Sequence, residues 1–128
     1  TDAEKGGMQA VVEATLQRWF TPEFMNAPEV ELVRKRLLND NPSNFSAAWE
    51  AISEHDAVTR LGQVQVPALV VGGSLDLATS VEAITTLSDA LGRAEKVILD
   101  GAPHMMQIEN QDVFYNTVRN FLDHMGRS

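Results

Sequence analysis

Two residues in the second half of the chain, Asp76 and His104, have the types and the spacing that acid–base chemistry requires. Each follows a short apolar run and a glycine: Asp76 lies in "GGSLD" and His104 lies in "GAPH". A carboxylate that hydrogen-bonds an imidazole fixes the ring tautomer and stabilises the imidazolium, which are the roles of acid and base in a nucleophilic triad. We therefore take this pair as the candidate catalytic site, provided that the fold brings the two loops together.

Asp76 also has ordinary structural roles open to it, and His104 has a second candidate partner. Asp is common as a turn former and as a helix N-cap, and either role would account for Asp76 taken alone. Asp100 is a rival partner for His104, although its place directly before Gly101 suits a turn better. Ser74, in the loop before Asp76, is interpreted as a turn residue.

The other histidines and the large apolar side chains are assigned to helix ends and to packing. His55 stands beside Asp56 without metal-ligand spacing and is predicted to lie at a helix end, and His124 has no predicted partner. Four further residues are interpreted as packing residues rather than cofactor contacts, namely Trp19, Trp49, Met105 and Met106.

The elements that must position the pair are two apolar, β-branched segments. The runs "VPALVVGG" and "EKVILDG" each predict a buried strand. Between them, apolar residues at helical spacing predict a helix over residues 81–91 that ends at Gly92. A strand–helix–strand order predicts parallel strands joined by a right-handed crossover. Because the carboxyl ends of parallel strands share one edge of the sheet, Asp76 and His104 are expected to meet there.

Helices account for most of the remaining chain. The last one is predicted from an apolar stripe over residues 113–122, with Asn110 or Asp112 as its N-cap. In the first half, apolar residues at three- and four-residue steps predict three helices, over residues 8–20, 28–38 and 42–52. Near residues 62–67 the spacing of the apolar residues changes from a helical pattern to alternating strand and helix patterns. We therefore predict a helical region over residues 1–60 and an alternating α/β region over residues 61–128.

Composition excludes several classes of protein. The 128 residues are 44% hydrophobic and 22% charged, as in globular domains, and no apolar stretch approaches the length of a membrane helix. The net charge of −8 argues against nucleic-acid and anionic-membrane partners. The absence of cysteine argues against disulfides and favours a reducing compartment, so a cytoplasmic location is expected. The first residues, "TDAEKGG", lack both a secretory pattern and a starting Met, which predicts a processed product or a fragment.

Longer segments carry a resemblance to a known fold family. "VQVPALVVGGSLDLATS" and "LSDALGRAEKVILDGAPHMMQIENQDVFYNTVRNFLDHM" resemble the carboxyl-terminal portion of the α/β-hydrolase fold, in which a Gly-x-x-Asp turn carries the triad acid and a Gly-x-x-His turn carries the base. The interval between them, 104 − 76 = 28 residues, is typical of that family. Upstream, "GGMQAVVEATLQRWFTPEF" and "NPSNFSAAWEAISEHD" are similar to the helical cap of the 3-oxoadipate enol-lactonases, which hydrolyse a lactone during aromatic-compound breakdown.

The resemblance implies a fold class and a chemistry. The expected fold is α/β, with the parallel strands and flanking helices of an α/β-hydrolase core over residues 61–128 and a helical cap, or lid, over residues 1–60. The expected chemistry is Ser-His-Asp hydrolysis of a small ester or lactone, with Asp76 orienting His104 and with no metal or organic cofactor. The chain itself lacks the Gly-x-Ser-x-Gly nucleophile elbow, because its nearest string is "GGSLD". The serine and the oxyanion hole would therefore come from an amino-terminal half, and this chain alone is predicted to be inactive.

A two-stranded parallel sheet is not independently stable and leaves an edge with unpaired backbone groups. The amino-terminal half of the same hydrolase, as a separate chain or as a missing segment, is the partner that we predict to cover this edge. Self-association through the edge is the second interpretation.

Other functions remain open at this point. Esterases, haloperoxidases and carbon–carbon hydrolases of the α/β-hydrolase fold share the acid and base pattern, and an aspartate nucleophile is an alternative to serine. Two different classes are a non-catalytic folded fragment or interaction module and an amino-terminal-nucleophile hydrolase that uses Thr1. The polar start of the chain disfavours the last of these.

Overall fold

The computed structural model describes residues 1–126, which fall into two compact units: Thr1–Asp56 and a second unit that begins at Ala57. The first unit is entirely helical, and the second contains both strands. Within residues 1–126, no helix combines the length and the apolar character that crossing a bilayer requires.

The first unit consists of four α-helices and a short 3₁₀ helix. The helices are α1 (Asp2–Gly6), the 3₁₀ helix Met8–Ala10, α2 (Val12–Trp19), α3 (Pro28–Leu38) and α4 (Pro42–Glu54). Both α3 and α4 begin at a proline, whose missing N–H is harmless in the first turn, and Asn41 caps α4 by accepting from two backbone N–H groups. The buried side chains of Val12, Leu16 and Val30 form part of its core.

The sequence-based prediction of a single helix over residues 8–20 is wrong. Val11 has φ −120° and ψ −21°, which is outside the helical region and separates Met8–Ala10 from α2. The helix α1 was not predicted at all. It is stabilised by a capping box in which the Thr1 side chain accepts from the Glu4 backbone N–H and the Glu4 side chain accepts from the Thr1 backbone nitrogen.

The second unit places two parallel strands side by side. Its elements are the 3₁₀ helix Val58–Gln63, β1 (Ala68–Gly73), α5 (Val81–Leu91), β2 (Ala94–Leu99), α6 (Met106–Glu109) and α7 (Gln111–Met125). The strands pair in a register that runs from Ala68 opposite Ala94 to Gly73 opposite Leu99. The predicted parallel pair with a crossover helix is thus confirmed, and both strands end at the same edge of the sheet.

One core cluster of the second unit forms at the carboxyl end of β2. Leu99, Ala102 and Met106 are buried there and are joined by the half-buried Val71, Val97 and Phe114. By contrast, none of the residues of α7 is fully buried, and this helix contacts the core through the half-buried Phe114. Much of the apolar surface of this unit is therefore exposed to solvent within the described part of the chain.

Candidate active site

Asp76 lies in the turn that follows β1, which we call the acid loop (residues 74–79). Its Oδ1 atom accepts hydrogen bonds from the backbone N–H groups of Ala78, at 2.7 Å, and Thr79, at 2.8 Å. Its side chain is 3% exposed. Asp76 therefore does act as a turn residue, as one interpretation of the sequence expected, but this role occupies only one of its two oxygens.

His104 lies in the segment that follows β2, which we call the histidine loop (residues 100–104). Its Nδ1 atom is 2.9 Å from the Oδ2 atom of Asp76, so the carboxylate oxygen that the turn does not use bonds to the imidazole. The ring is one-third exposed, whereas the carboxylate beneath it is buried. The structure thus brings together the two residues that the sequence singled out, across 28 positions of the chain.

This geometry determines which nitrogen of the ring can act as a base. A carboxylate only accepts hydrogen bonds when it is ionised, so the bond to Asp76 places the proton of a neutral His104 ring on Nδ1. The lone pair is then on Nε2. Because two backbone N–H groups fix the carboxylate, the ring bonded to it is held in one orientation.

The two loops approach each other at backbone level. The backbone N–H groups of Ser74 and Leu75 donate to the carbonyl oxygens of Leu99, at 3.0 Å, and Ala102, at 2.9 Å. A Cβ atom at Gly73 would overlap the Ala102 carbonyl oxygen, so the contact requires glycine at this position. The close contact between the loops therefore depends on the last residue of β1.

Asp100, the rival partner considered for His104, has a different partner in the structure. Its Oδ1 atom accepts a hydrogen bond from the Ser74 hydroxyl at 3.2 Å, and that hydroxyl accepts from the Gly101 N–H at 2.8 Å. Sequence reasoning treated both Ser74 and Asp100 as turn residues and missed this link. A serine and an aspartate at equivalent places after two neighbouring parallel strands are the signal that could have indicated it.

The helix that follows the acid loop begins with a second ordered turn. Ser80 caps α5 by accepting from the Ala83 N–H at 3.2 Å. The pKa of Glu82 is lowered by a hydrogen bond from its own backbone N–H and by the Ser80 side chain. A negative charge at the amino-terminal end of α5 is also favourable to the helix dipole.

The remaining histidines lie at helix ends. His55 is the C-cap of α4, as predicted. His124, for which the sequence suggested no partner, donates from Nδ1 to the Asn120 carbonyl oxygen at 2.6 Å in the last turn of α7. No group of three or more His, Asp or Glu side chains that could hold a metal ion occurs among residues 1–126.

The chain is similar to a known protein family and to several characterised hydrolases. A family model described as TAP-like protein, one of the α/β-hydrolase models, matches residues 35–126. Among curated proteins, 3-oxoadipate enol-lactonase 2 of Acinetobacter baylyi is 27% identical over 114 residues, which are 88% of this chain and 42% of that enzyme. The (E)-2-((N-methylformamido)methylene)succinate hydrolase of the same organism is 26% identical over 99 residues, covering 76% of this chain and 38% of that protein.

Solved structures with the same fold agree with the family match. The enol-lactonase from Burkholderia xenovorans has a TM-score of 0.89 and 33% identity, covering 95% of this chain and 47% of that one. The thermophilic esterase from Thermogutta terrifontis has a TM-score of 0.81 at 23% identity, covering 95% of this chain and 46% of that one, and supports the fold alone. The chain therefore has the fold of an α/β-hydrolase and spans less than half the length of these relatives.

Proposed function

Because the chain belongs to the TAP-like protein family of α/β-hydrolases, we propose that it is the carboxyl-terminal half of an enzyme that hydrolyses a small lactone or ester. The observation that carries this proposal is the 2.9 Å hydrogen bond between Asp76 and His104 at the shared carboxyl edge of two parallel strands. The likeness to proteins named enol-lactonase favours a lactone as the substrate.

In the proposed reaction, a serine of the amino-terminal half attacks the carbonyl carbon of the lactone while Nε2 of His104 accepts the serine proton. The ring C–O bond then breaks, and the oxygen that leaves takes this proton from His104, which produces an acyl-serine. Water attacks the acyl-serine and gives a proton to Nε2. Cleavage of the acyl C–O bond releases the carboxylic acid and returns the proton to serine. Throughout, Asp76 orients the ring and stabilises its protonated form.

The exposed apolar surface of the second unit is evidence for an amino-terminal half that covers it. Several large apolar side chains of this unit are more than half exposed, namely Val66, Leu75, Leu77, Val113, Tyr115 and Leu122. Exposed apolar surface on this scale usually marks an interface. The share of the relatives that this chain leaves unmatched, more than half of their length, is enough to supply the covering segment. In solution, a homodimer of the isolated chain would instead favour self-association through the open edge.

The proposal predicts that catalysis requires both halves. We define the complete hydrolase as this chain preceded, at Thr1, by the amino-terminal half of the Burkholderia xenovorans enol-lactonase, made as a fusion or by co-expression. The isolated chain is expected to show no turnover of p-nitrophenyl acetate or of 3-oxoadipate enol-lactone above the buffer rate, because it has no nucleophile elbow. The complete hydrolase is expected to turn over at least one of them, measured as release of p-nitrophenol or loss of the enol-lactone absorbance.

A serine-to-alanine variant of the nucleophile in the amino-terminal half is the matched control. This variant should reduce the rate of the complete hydrolase to that of the isolated chain. A folded, monodisperse complete hydrolase that hydrolyses neither substrate would contradict the proposal and favour a non-catalytic module. A serine-dependent rate from the isolated chain would show that no second half is needed.

We expect Asp76→Asn to lower kcat of the complete hydrolase by about 10⁴-fold, a loss of the size seen when a triad acid becomes an amide. The amide can still accept from Ala78 and Thr79, so the turn should persist. It can also donate to the ring, which would favour the wrong tautomer of His104. The assay is kcat for p-nitrophenyl acetate alongside the melting temperature. Asp89→Asn, on α5, is a control that should leave both values unchanged, and near-normal turnover by Asp76→Asn would remove the triad assignment.

A further inference from the structure

The hydroxyl of Ser74 joins the two loops that carry the candidate acid and base. Its oxygen accepts from the Gly101 N–H at 2.8 Å, and its proton goes to Oδ1 of Asp100 at 3.2 Å. Both partners are at the start of the histidine loop, 26 or 27 positions further along the chain. A hydroxyl has a single proton, so giving it to Asp100 leaves a lone pair directed at Gly101.

This link lies where the sheet no longer holds the chain. The strand ladder ends with Gly73 opposite Leu99, one residue before Ser74 and one before Asp100. Beyond that point, backbone hydrogen bonds from Ser74 and Leu75 set the separation of the loops. They do not determine the orientation of the peptide between Asp100 and Gly101, whose N–H points at the Ser74 hydroxyl.

That peptide determines the direction in which the chain approaches His104. Gly101 has φ +69°, a left-handed conformation that glycine adopts without steric cost. Only Ala102 and Pro103, both buried, separate it from His104. Ala102 and Pro103 are packed too tightly to absorb a change in backbone angles. A rotation of the peptide at Gly101 would therefore be transmitted to the backbone of His104. The ring would then lose its alignment with Asp76 or with the attacking serine.

We propose that Ser74 is a positioning residue of the active site, and that Asp100 acts with it by holding the hydroxyl proton away from Gly101. This inference rests on the proposed function, because it concerns the geometry of the same acid and base. It assigns a role to two side chains that do not touch the reacting atoms. It also accounts for an aspartate that stands four residues before His104 yet bonds to the opposite loop.

The test compares two substitutions of Ser74 in the complete hydrolase. Ser74→Ala removes the hydroxyl and is expected to lower kcat about tenfold with little change in KM, because a small displacement of a catalytic group affects the chemical step. Ser74→Thr keeps the hydroxyl and should stay within about twofold of the parent. If Ser74 and Asp100 act through one link, the double variant Ser74→Ala/Asp100→Ala should be no slower than Asp100→Ala alone.

Labelling of the nucleophile with a fluorophosphonate distinguishes a role of Ser74 in positioning His104 from a role in folding alone. The amount of label at completion counts competent sites, and the labelling rate per site reports how well the base activates the serine. We expect Ser74→Ala to lower the rate per site about tenfold while the final amount stays unchanged. Ser53→Ala is the matched control, since its exposed hydroxyl donates to the Glu50 carbonyl oxygen within α4, and it should change neither quantity.

An unchanged rate per site in Ser74→Ala, whether or not the final amount of label falls, would overturn the inference and leave the proposed function intact. If the parent complete hydrolase shows no hydrolysis, the proposed function fails instead. The inference is then decided by ¹⁵N NMR of the His104 ring. Loss of the Nδ1–H tautomer signature in Ser74→Ala, with recovery in Ser74→Thr, would support it, and identical spectra in all three proteins would overturn it.

Discussion

Replacing His104 with alanine in the complete hydrolase is expected to lower kcat by about 10⁵- to 10⁶-fold, the scale of losing the base of a catalytic triad. In the structure, the His104 ring bonds to Asp76. In the reaction that we propose, loss of this ring removes proton transfer from both steps. Asp76 would keep its two backbone hydrogen bonds and the acid loop would stay in place. The expected result is therefore a folded, inactive protein, measured by kcat for p-nitrophenyl acetate and by thermal unfolding.

Two other histidines of the chain provide matched controls. His55→Ala removes a C-cap residue of α4, and His124→Ala removes a side chain that bonds within the last turn of α7. Both variants should keep kcat within about twofold of the parent, because a cap or a local hydrogen bond affects stability by about 1 kcal/mol rather than chemistry. If His104→Ala retained a rate comparable with these controls, the assignment of the base would be wrong.

The parts of the fold that were predictable from sequence are those governed by local chemistry. The helix α3 spans the predicted residues, and its start is set by Pro28, which suits the first turn of a helix. The helix α5 ends at Gly92 in a left-handed conformation that glycine favours. The meeting of Asp76 and His104 could be expected as well, since it follows from two neighbouring parallel strands and does not depend on side-chain detail.

The parts that could not be predicted depend on contacts between distant positions. The apolar spacing of residues 8–20 suits one helix, and nothing local indicates that Val11 leaves the helical region. The short helix α6 begins with Met106, which is buried against Leu99 and Ala102, so packing rather than propensity supports it. The link between Ser74 and Asp100 likewise exists only once β1 and β2 have paired.

The apolar surface that the second unit exposes is the surface that the proposed amino-terminal half would cover, and its burial would stabilise the fold. The amphipathic helix α7 has no fully buried residue and contacts the core through the half-buried Phe114, so this chain alone leaves part of its apolar face exposed. The loops that carry Asp76 and His104 are nevertheless tied together by hydrogen bonds within the unit. The local arrangement of Asp76 and His104 is thus encoded here, while we expect the sheet to gain stability from the half that we propose to cover it.

Gly73→Ala is expected to be the most destabilising single substitution in the second unit, at about 4 kcal/mol or more. The added methyl would overlap the Ala102 carbonyl oxygen and would lie 2.8 Å from the Ala102 carbonyl carbon and 2.9 Å from the Pro103 carbonyl oxygen. These are backbone atoms of two buried residues, which cannot move aside as a flexible side chain does. The loops would have to separate, and the complete hydrolase should lose most of its stability and its activity.

Substitutions of two other glycines are expected to destabilise the protein less, which gives a series of three variants with graded losses of stability. In Gly72→Ala the new methyl meets side-chain atoms of Ile84 at 2.8 Å and of Ile98 at 3.2 Å, which can adjust, so a loss of about 1 to 3 kcal/mol is expected. In Gly62→Ala the nearest atom, the Ala90 carbonyl oxygen, is 3.8 Å away, and stability should barely change. Urea unfolding of the three variants would measure the order. Because the contacts of the added methyl set this order, a Gly73→Ala protein as stable as Gly62→Ala would show that the loops do not approach at backbone level. The orientation of His104 by Asp76 would then need another physical basis.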